Sequence, residues 1–217
     1  MKPRTFLTLC ALMALAACSS NPPPPHWPLD AKGSSERATE AWLSGDSRIE
    51  AAEFNRARAE LARTGQPALV ARLELLRCAA RLASLVVEPC ARFEALAQDA
   101  APAERAYARY LAGTAQAADA ELLPQVHRSL LGNAAPDVAL ATIQDPLSQL
   151  VAAGVLFRTG RTTPGVIATA VNTASARGWR RPLLAWLRVQ QERAQAAGDA
   201  TAAAAVQRRI DLVAPPR

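Results

Sequence analysis

The sequence predicts an all-α protein built of stacked helical hairpins, and three observations carry that expectation. Alanine (50) and leucine (27) fill about a third of the 217 positions, and arginine outnumbers lysine 23 to 2. These three types are among the best helix formers. Aromatics make up only 5% of the chain, and no stretch alternates apolar and polar residues strictly enough for a strand. Proline and glycine recur at the intervals at which short helices begin and end. The same composition excludes other classes. Strand-favouring residues are too sparse for an all-β sandwich, and a hydrophobic fraction of 50% is too high for a disordered chain. Four cysteines are too few for a disulfide-built miniature scaffold.

The first segment, residues 1–17, reads as a leader. Lys2 and Arg4 precede an apolar run from Phe6 to Leu15. About ten residues cannot span a bilayer, which needs about 20, but they suit the apolar region of a secretory signal. The run ends in Leu15-Ala16-Ala17-Cys18. This resembles the bacterial lipobox, in which leucine and small residues precede a cysteine. The resemblance implies that the leader is cut before Cys18 and that Cys18 carries the lipid. Three acyl chains make a stable anchor. Ser19 and Ser20 stand where such lipoproteins carry an inner-membrane retention aspartate. The resemblance therefore implies a lipid-anchored protein of the outer membrane, facing the periplasm.

Residues 18–35 then read as a proline-rich tether. Pro22 to Pro25 favour an extended polyproline conformation, and His26-Trp27 within the arm suggests no chemistry. Residues 36–217 form the helical domain. Breakers divide it into expected helices at Glu36–Leu43, Ser47–Arg63, Pro67–Val86, Cys90–Gln98, Pro102–Gly113, Ala117–Leu131, Pro136–Ile143, Pro146–Arg158, Thr163–Arg177, Arg180–Ala197 and Ala200–Val213. Pro67, Pro102, Pro136, Pro146, Pro164 and Pro182 suit first turns, where a missing N–H costs nothing. Gly65, Gly113, Gly132, Gly160, Gly178 and Gly198 suit the left-handed position after a helix. Ser47, Asp99, Asp145 and Asp199 are the expected N-caps.

Pro67–Val86 carries the clearest pattern. Leu69, Leu73, Leu76, Ala80, Ala83 and Val87 form one stripe, and Leu75, Ala79, Leu82 and Val86 a second. An apolar surface this wide predicts contact with several neighbours, hence a core helix. Glu74 is spaced for surface ion pairs with Arg77 and Arg81. Near the C-terminus, Gly198, Ala203 and Pro215 are spaced as in the tetratricopeptide repeat, which that stretch resembles, although Ala200 and Gln207 stand at its aromatic positions. A TPR-like superhelix and an irregular helical bundle both remain open.

With Cys10 in the leader and Cys18 lipidated, Cys78 and Cys90 are left. In an oxidising periplasm they are expected to form a disulfide, provided the helix ends early or the chain folds back along it. Two separate buried thiols are the alternative. His127 is the only histidine beyond the tether, and neither metal-ligand spacing nor a nucleophile, phosphate-loop or dinucleotide motif is present. The expectation is no catalytic residue, no metal and no cofactor.

Charge is uneven. Residues 18–154 hold 13 basic and 16 acidic side chains, whereas residues 155–217 hold ten arginines against Glu192, Asp199 and Asp211. Arg177, Arg180, Arg181, Arg188, Arg208 and Arg209 form a candidate face for an anionic partner, with Trp179 and Trp186 among them. The competing expectation is that Trp179, Leu183 and Trp186, spaced as one helical stripe, belong to the core, with the arginines as its solvated side. Export argues against nucleic acid. The sequence thus points to a non-enzymatic scaffold or adaptor for an envelope protein or component. The alternatives are a carrier of an apolar ligand in a helical cavity, and a cell-wall hydrolase.

Overall fold

A computed structural model describes residues 26–132 and 134–214. The leader, the lipobox with Cys18, and prolines 22–25 lie outside the described residues. Within them the chain is all-α: eleven α-helices and two short 3-10 helices, with no strand.

Helix α1 (Trp27–Ser44) begins nine residues before the helix expected from Glu36. Pro28 sits in its first turn and Gly45, at φ 96°, ends it. Gly33, Ser34 and Ser35 favour helix poorly on their own. The segment is helical because Ala31, Ser34, Ala38 and Ala41 line one buried face, small enough for α2 (Ser47–Ala62) to pack along it. The Asp46 side chain caps α2 by accepting from the Ile49 N–H at 2.9 Å, so the cap falls one residue before Ser47.

Helix α3 (Pro67–Ala83) is the core helix that its two apolar stripes predict. It packs against α1, α2 and later helices, and it stops three residues short of Val86. Leu85 takes a left-handed φ of 58°, while Leu85 and Val86 donate back to the Leu82 and Arg81 carbonyls. This is a Schellman turn with leucine where glycine is usual. Two indoles satisfy further carbonyls at this end. Trp42 Nε1 donates to Ala80 O at 3.0 Å, and Trp186 Nε1 to Ala83 O at 3.2 Å.

After α4 (Ala91–Glu94) and a 3-10 turn at Ala97–Asp99 comes α5 (Pro102–Ala112). Asp99 lies inside that turn and Ala101 is the N-cap of α5, so Asp99 does not cap it. The expected helix Ala117–Leu131 is broken. It becomes a 3-10 helix at Ala117–Leu122 and a short α6 (Gln125–Arg128). Pro124 explains the break: it forces Leu123 to extended backbone, ψ 153°, and cannot donate within a helix. Helix α7 (Pro136–Ala141) leads to α8 (Pro146–Arg158). Every residue of α8 from Leu150 to Leu156 is buried, so it is encased on all sides. Where α8 crosses α3, a Cβ on Gly154 would lie 2.5 Å from Leu82 O, and only glycine permits that approach.

Helices α9 (Pro164–Ala176), α10 (Arg180–Ala196) and α11 (Ala200–Val213) pack in succession. Thr163, Asp145 and Asp199 side chains cap α9, α8 and α11. Helix α10 also packs against α1, so the last hairpins return to the first. Trp179, Leu183 and Trp186 are buried, which settles the stripe as core. Phe157 meets Trp186 edge-on at 6.0 Å.

Candidate functional site

A cleft of about 890 Å³ opens among the described residues. Its floor is the α3 stripe: Leu69, Leu73 and Leu76, joined by Leu75. One wall is the first half of α1, with Trp27, Pro28 and Ala31, and the other is α5 with Ala103 and Tyr107. Leu61 of α2 and Leu122, Leu123 and Pro124 complete it. Leu73 and Leu75 are already covered by the core, and the half-buried Leu69 and Leu76 are the part of the stripe left open to the cleft. The broken helix at Pro124 supplies the side opposite Trp27. The volume falls in the upper part of the range for small-molecule sites.

Polar groups on the lining are few: Lys32, Ser35, Arg72 and Glu104. Arg72 donates through Nε and Nη2 to one Glu104 oxygen, at 2.9 and 2.6 Å. Burial alone would push the Glu104 carboxyl up, but Arg72 and the backbone N–H groups at the start of α5 outweigh it and hold it below the ordinary glutamate value. Lys32 pairs with Glu36 at 3.0 Å. The cleft therefore offers a long apolar surface with mutually paired charges, a surface suited to an aliphatic chain.

Behind the cleft lies a buried polar aromatic cluster. Tyr107, Tyr110 and His127 rings stack within 6.0 Å of one another. Tyr110 Oη and His127 Nδ1 share a hydrogen bond of 3.2 Å. Burial pushes the imidazole down to about 4, against the pull of the Asp145 carboxylate. Burial raises both phenols. The ring is therefore neutral at neutral pH, and its role is to hold the 117–128 segment against α5.

The buried carboxylates all meet arginines. Glu50 takes a two-point contact from Arg77 (2.7 and 3.2 Å), and Glu74 pairs with Arg58 at 3.2 Å. Arg109 and the Gln116 N–H hold Asp119 down to about 2. The expected pairs of Glu74 with Arg77 and Arg81 do not form. Glu74 is on the buried face of α3, so its partner comes from α2, while Arg77 turns to Glu50 and Arg81 to Glu88. Glu104 and Asp119 are both shifted toward the ionised form.

The six arginines of the candidate basic face do not act together. Arg181 donates to Trp42 O at 2.7 Å and to Ser47 Oγ at 2.9 Å, and its guanidinium covers the Trp42 ring. The Arg180 guanidinium lies over Gly45, and Arg177 over the Trp179 ring. Arg180 and Arg181 thus set α10 against the first hairpin, whereas Arg177 covers the ring of its near neighbour Trp179. Arg188, Arg208 and Arg209 are exposed on α10 and α11.

Cys78 and Cys90 lie at disulfide distance, with Cα atoms 6.0 Å apart. Both conditions stated for a bridge are met: α3 ends early, and the chain after the Leu85 turn runs back beside it. No group of three His, Cys, Asp or Glu side chains among the described residues could hold a metal ion. No helix among them is long and apolar enough to cross a membrane.

No family model, curated protein or solved structure matches the chain. The site therefore rests on its own geometry. Sequence reasoning missed Trp27, which was assigned to the tether. The one available signal was Pro28 one residue later, a first-turn proline like those that open α3, α5, α7, α8 and α9.

Proposed function

We propose that the protein is a lipid-anchored envelope protein, facing the periplasm from the outer membrane, that binds an amphiphile by its aliphatic chain in the cleft between α1, α3 and α5. The observation that carries this reading is the cleft itself: about 890 Å³ of space floored by leucines of a core helix. A chain laid over Leu69 and Leu76 would gain about 25 cal/mol for each Å² of apolar surface it covers. The paired charges at Lys32–Glu36 and Arg72–Glu104 would meet its polar end without leaving a buried charge alone. The Cys18 anchor, expected from the lipobox resemblance, would keep the cleft beside a source of such molecules.

The test uses the mature chain from residue 18 with Cys18→Ala, made without residues 1–17 and so without lipid, and a fluorescent C16 fatty acid as probe. Saturable binding is expected, and Ala103→Trp, which fills the cleft from an exposed position, should abolish it at unchanged thermal stability. Absence of saturable binding, or binding that Ala103→Trp leaves untouched, overturns the reading.

A second reading, an adaptor for an envelope protein, has a separate observation behind it. Leu212 is 85% exposed on the same helix as Arg208 and Arg209. Cross-linking from a residue on the outer side of α11 in intact cells would recover a defined partner if this holds.

A further inference from the structure

We infer that the rim of the cleft is seated on the surface of the bilayer that holds the anchor, so that the cleft takes its ligand from that membrane. This rests on the anchor and the cleft of the proposed function. Three observations lead to it. First, Trp27 belongs both to the cleft and to the first turn of α1. It lies nine residue steps after Cys18, and nine steps span at most about 30 Å. A domain of this size has a radius of gyration of about 16 Å and is about 40 Å across. The leash is thus shorter than the domain, and the end bearing Trp27 faces the membrane.

Second, the rim and the surface beside it carry the side chains an interface takes up: Trp27, Lys32 and Leu122 line the cleft, and Leu29 and Val126 lie just outside its lining in sequence. Leu29 is 71% exposed in the first turn of α1. Leu122, on the facing side of the cleft, and Val126, two residues past Pro124, are 40% and 41% exposed. Together with half-buried Trp27 and the aliphatic stem of Lys32 they make an apolar margin with an amphipathic indole. Third, the rim cations already have partners: Lys32 with Glu36, Arg72 with Glu104 and Arg128 with Glu121. Seating is therefore driven by apolar burial rather than by lipid charge. A zwitterionic phosphatidylcholine surface suffices, and salt has little effect.

The experiment reconstitutes the mature lipidated protein in phosphatidylcholine vesicles containing lipids brominated near the headgroup end of the acyl chain. Trp42, Trp179 and Trp186 are buried, so Trp27 is the indole within reach of the quencher. Quenching is expected at low and high salt alike. It should disappear in Trp27→Phe and fall at least two-fold in Leu29→Glu and Leu122→Glu. Quenching that is absent, or equal in Trp27→Phe, overturns the seating. If fatty-acid binding by the Cys18→Ala protein persists in that case, the cleft reading stands while the seating fails. If the lipidated protein shields Trp27 from the quencher and also excludes the fatty acid, the chain's own acyl group fills the cleft, which equally overturns the seating. If the protein does not float with the vesicles at all, the anchor itself fails.

Discussion

The indole Nε1 of Trp179 donates to both carboxylate oxygens of Glu40, each at 3.0 Å, across 139 residues of chain. The contact joins the N-cap of α10 to Glu40, four residues before the end of α1. Arg181 lies beside it on the Trp42 ring. These links turn a run of hairpins into a closed unit, in which the last helices steady the helix that forms the cleft wall.

Trp179→Phe keeps the buried ring and loses the hydrogen bond. The expected cost is about 1–2 kcal/mol, or a few degrees in Tm for a domain of this size. Glu40→Gln, which retains an acceptor, should cost less. Thermal unfolding followed by circular dichroism measures both, and an unchanged Tm in Trp179→Phe would show that the contact does not fasten α10.

Arg77→Ala should be among the most damaging single changes. It leaves Glu50 buried without its two-point partner and strips the guanidinium from the Phe54 ring, 4.3 Å away. Removing one member of a buried pair costs about 3–5 kcal/mol. The double variant Glu50→Gln with Arg77→Met removes both charges and should recover much of that loss. Urea denaturation of the two variants reads the difference directly.

His127 makes stability fall on the acid side of neutrality. Its folded value, about 4, lies below its ordinary value of 6.5. Above pH 6.5 the ring is neutral in both states and contributes no pH dependence. Between 6.5 and 4 the unfolded chain binds a proton that the folded protein refuses, so stability drops by about 1.4 kcal/mol per pH unit. Below about 4 this contribution levels off. His127→Gln should flatten the window from 6.5 to 4, and a profile as steep as the parent's would rule the residue out as its source.

Cys78→Ser with Cys90→Ser tests the bridge. Closing a loop with 12 residues of separation contributes about 3 kcal/mol in the entropic view. The unreduced protein should resist thiol alkylation in denaturant, and the double variant should unfold at lower urea. Two alkylated cysteines without prior reduction would exclude the bridge.

Much of this fold could be read from residue types. Prolines and glycines delimit α3, α5, α8, α9 and α10 because their backbone effects are local. The α3 stripe and the tryptophan stripe of α10 were visible as periodicity for the same reason. What could not be read depended on distant contacts. The first half of α1 has weak helix formers and becomes helix against α2. Pro124 was passed over inside an apolar stretch, although it breaks the helix that would have closed the cleft. Charge counted along the chain does not tell which arginines of the C-terminal third meet other helices. In space, Arg180 and Arg181 are spent on Gly45, Trp42 and Ser47. The cleft had only an indirect signature, the width of the apolar stripe on α3.

If Cys18 carries the anchor as proposed, any pull between the membrane and the protein would reach the described fold at the start of α1, which packs along α2 and also meets α3 and α10. Tension would then be borne by a helix fastened to three others, and the wall of the cleft would keep its shape under load.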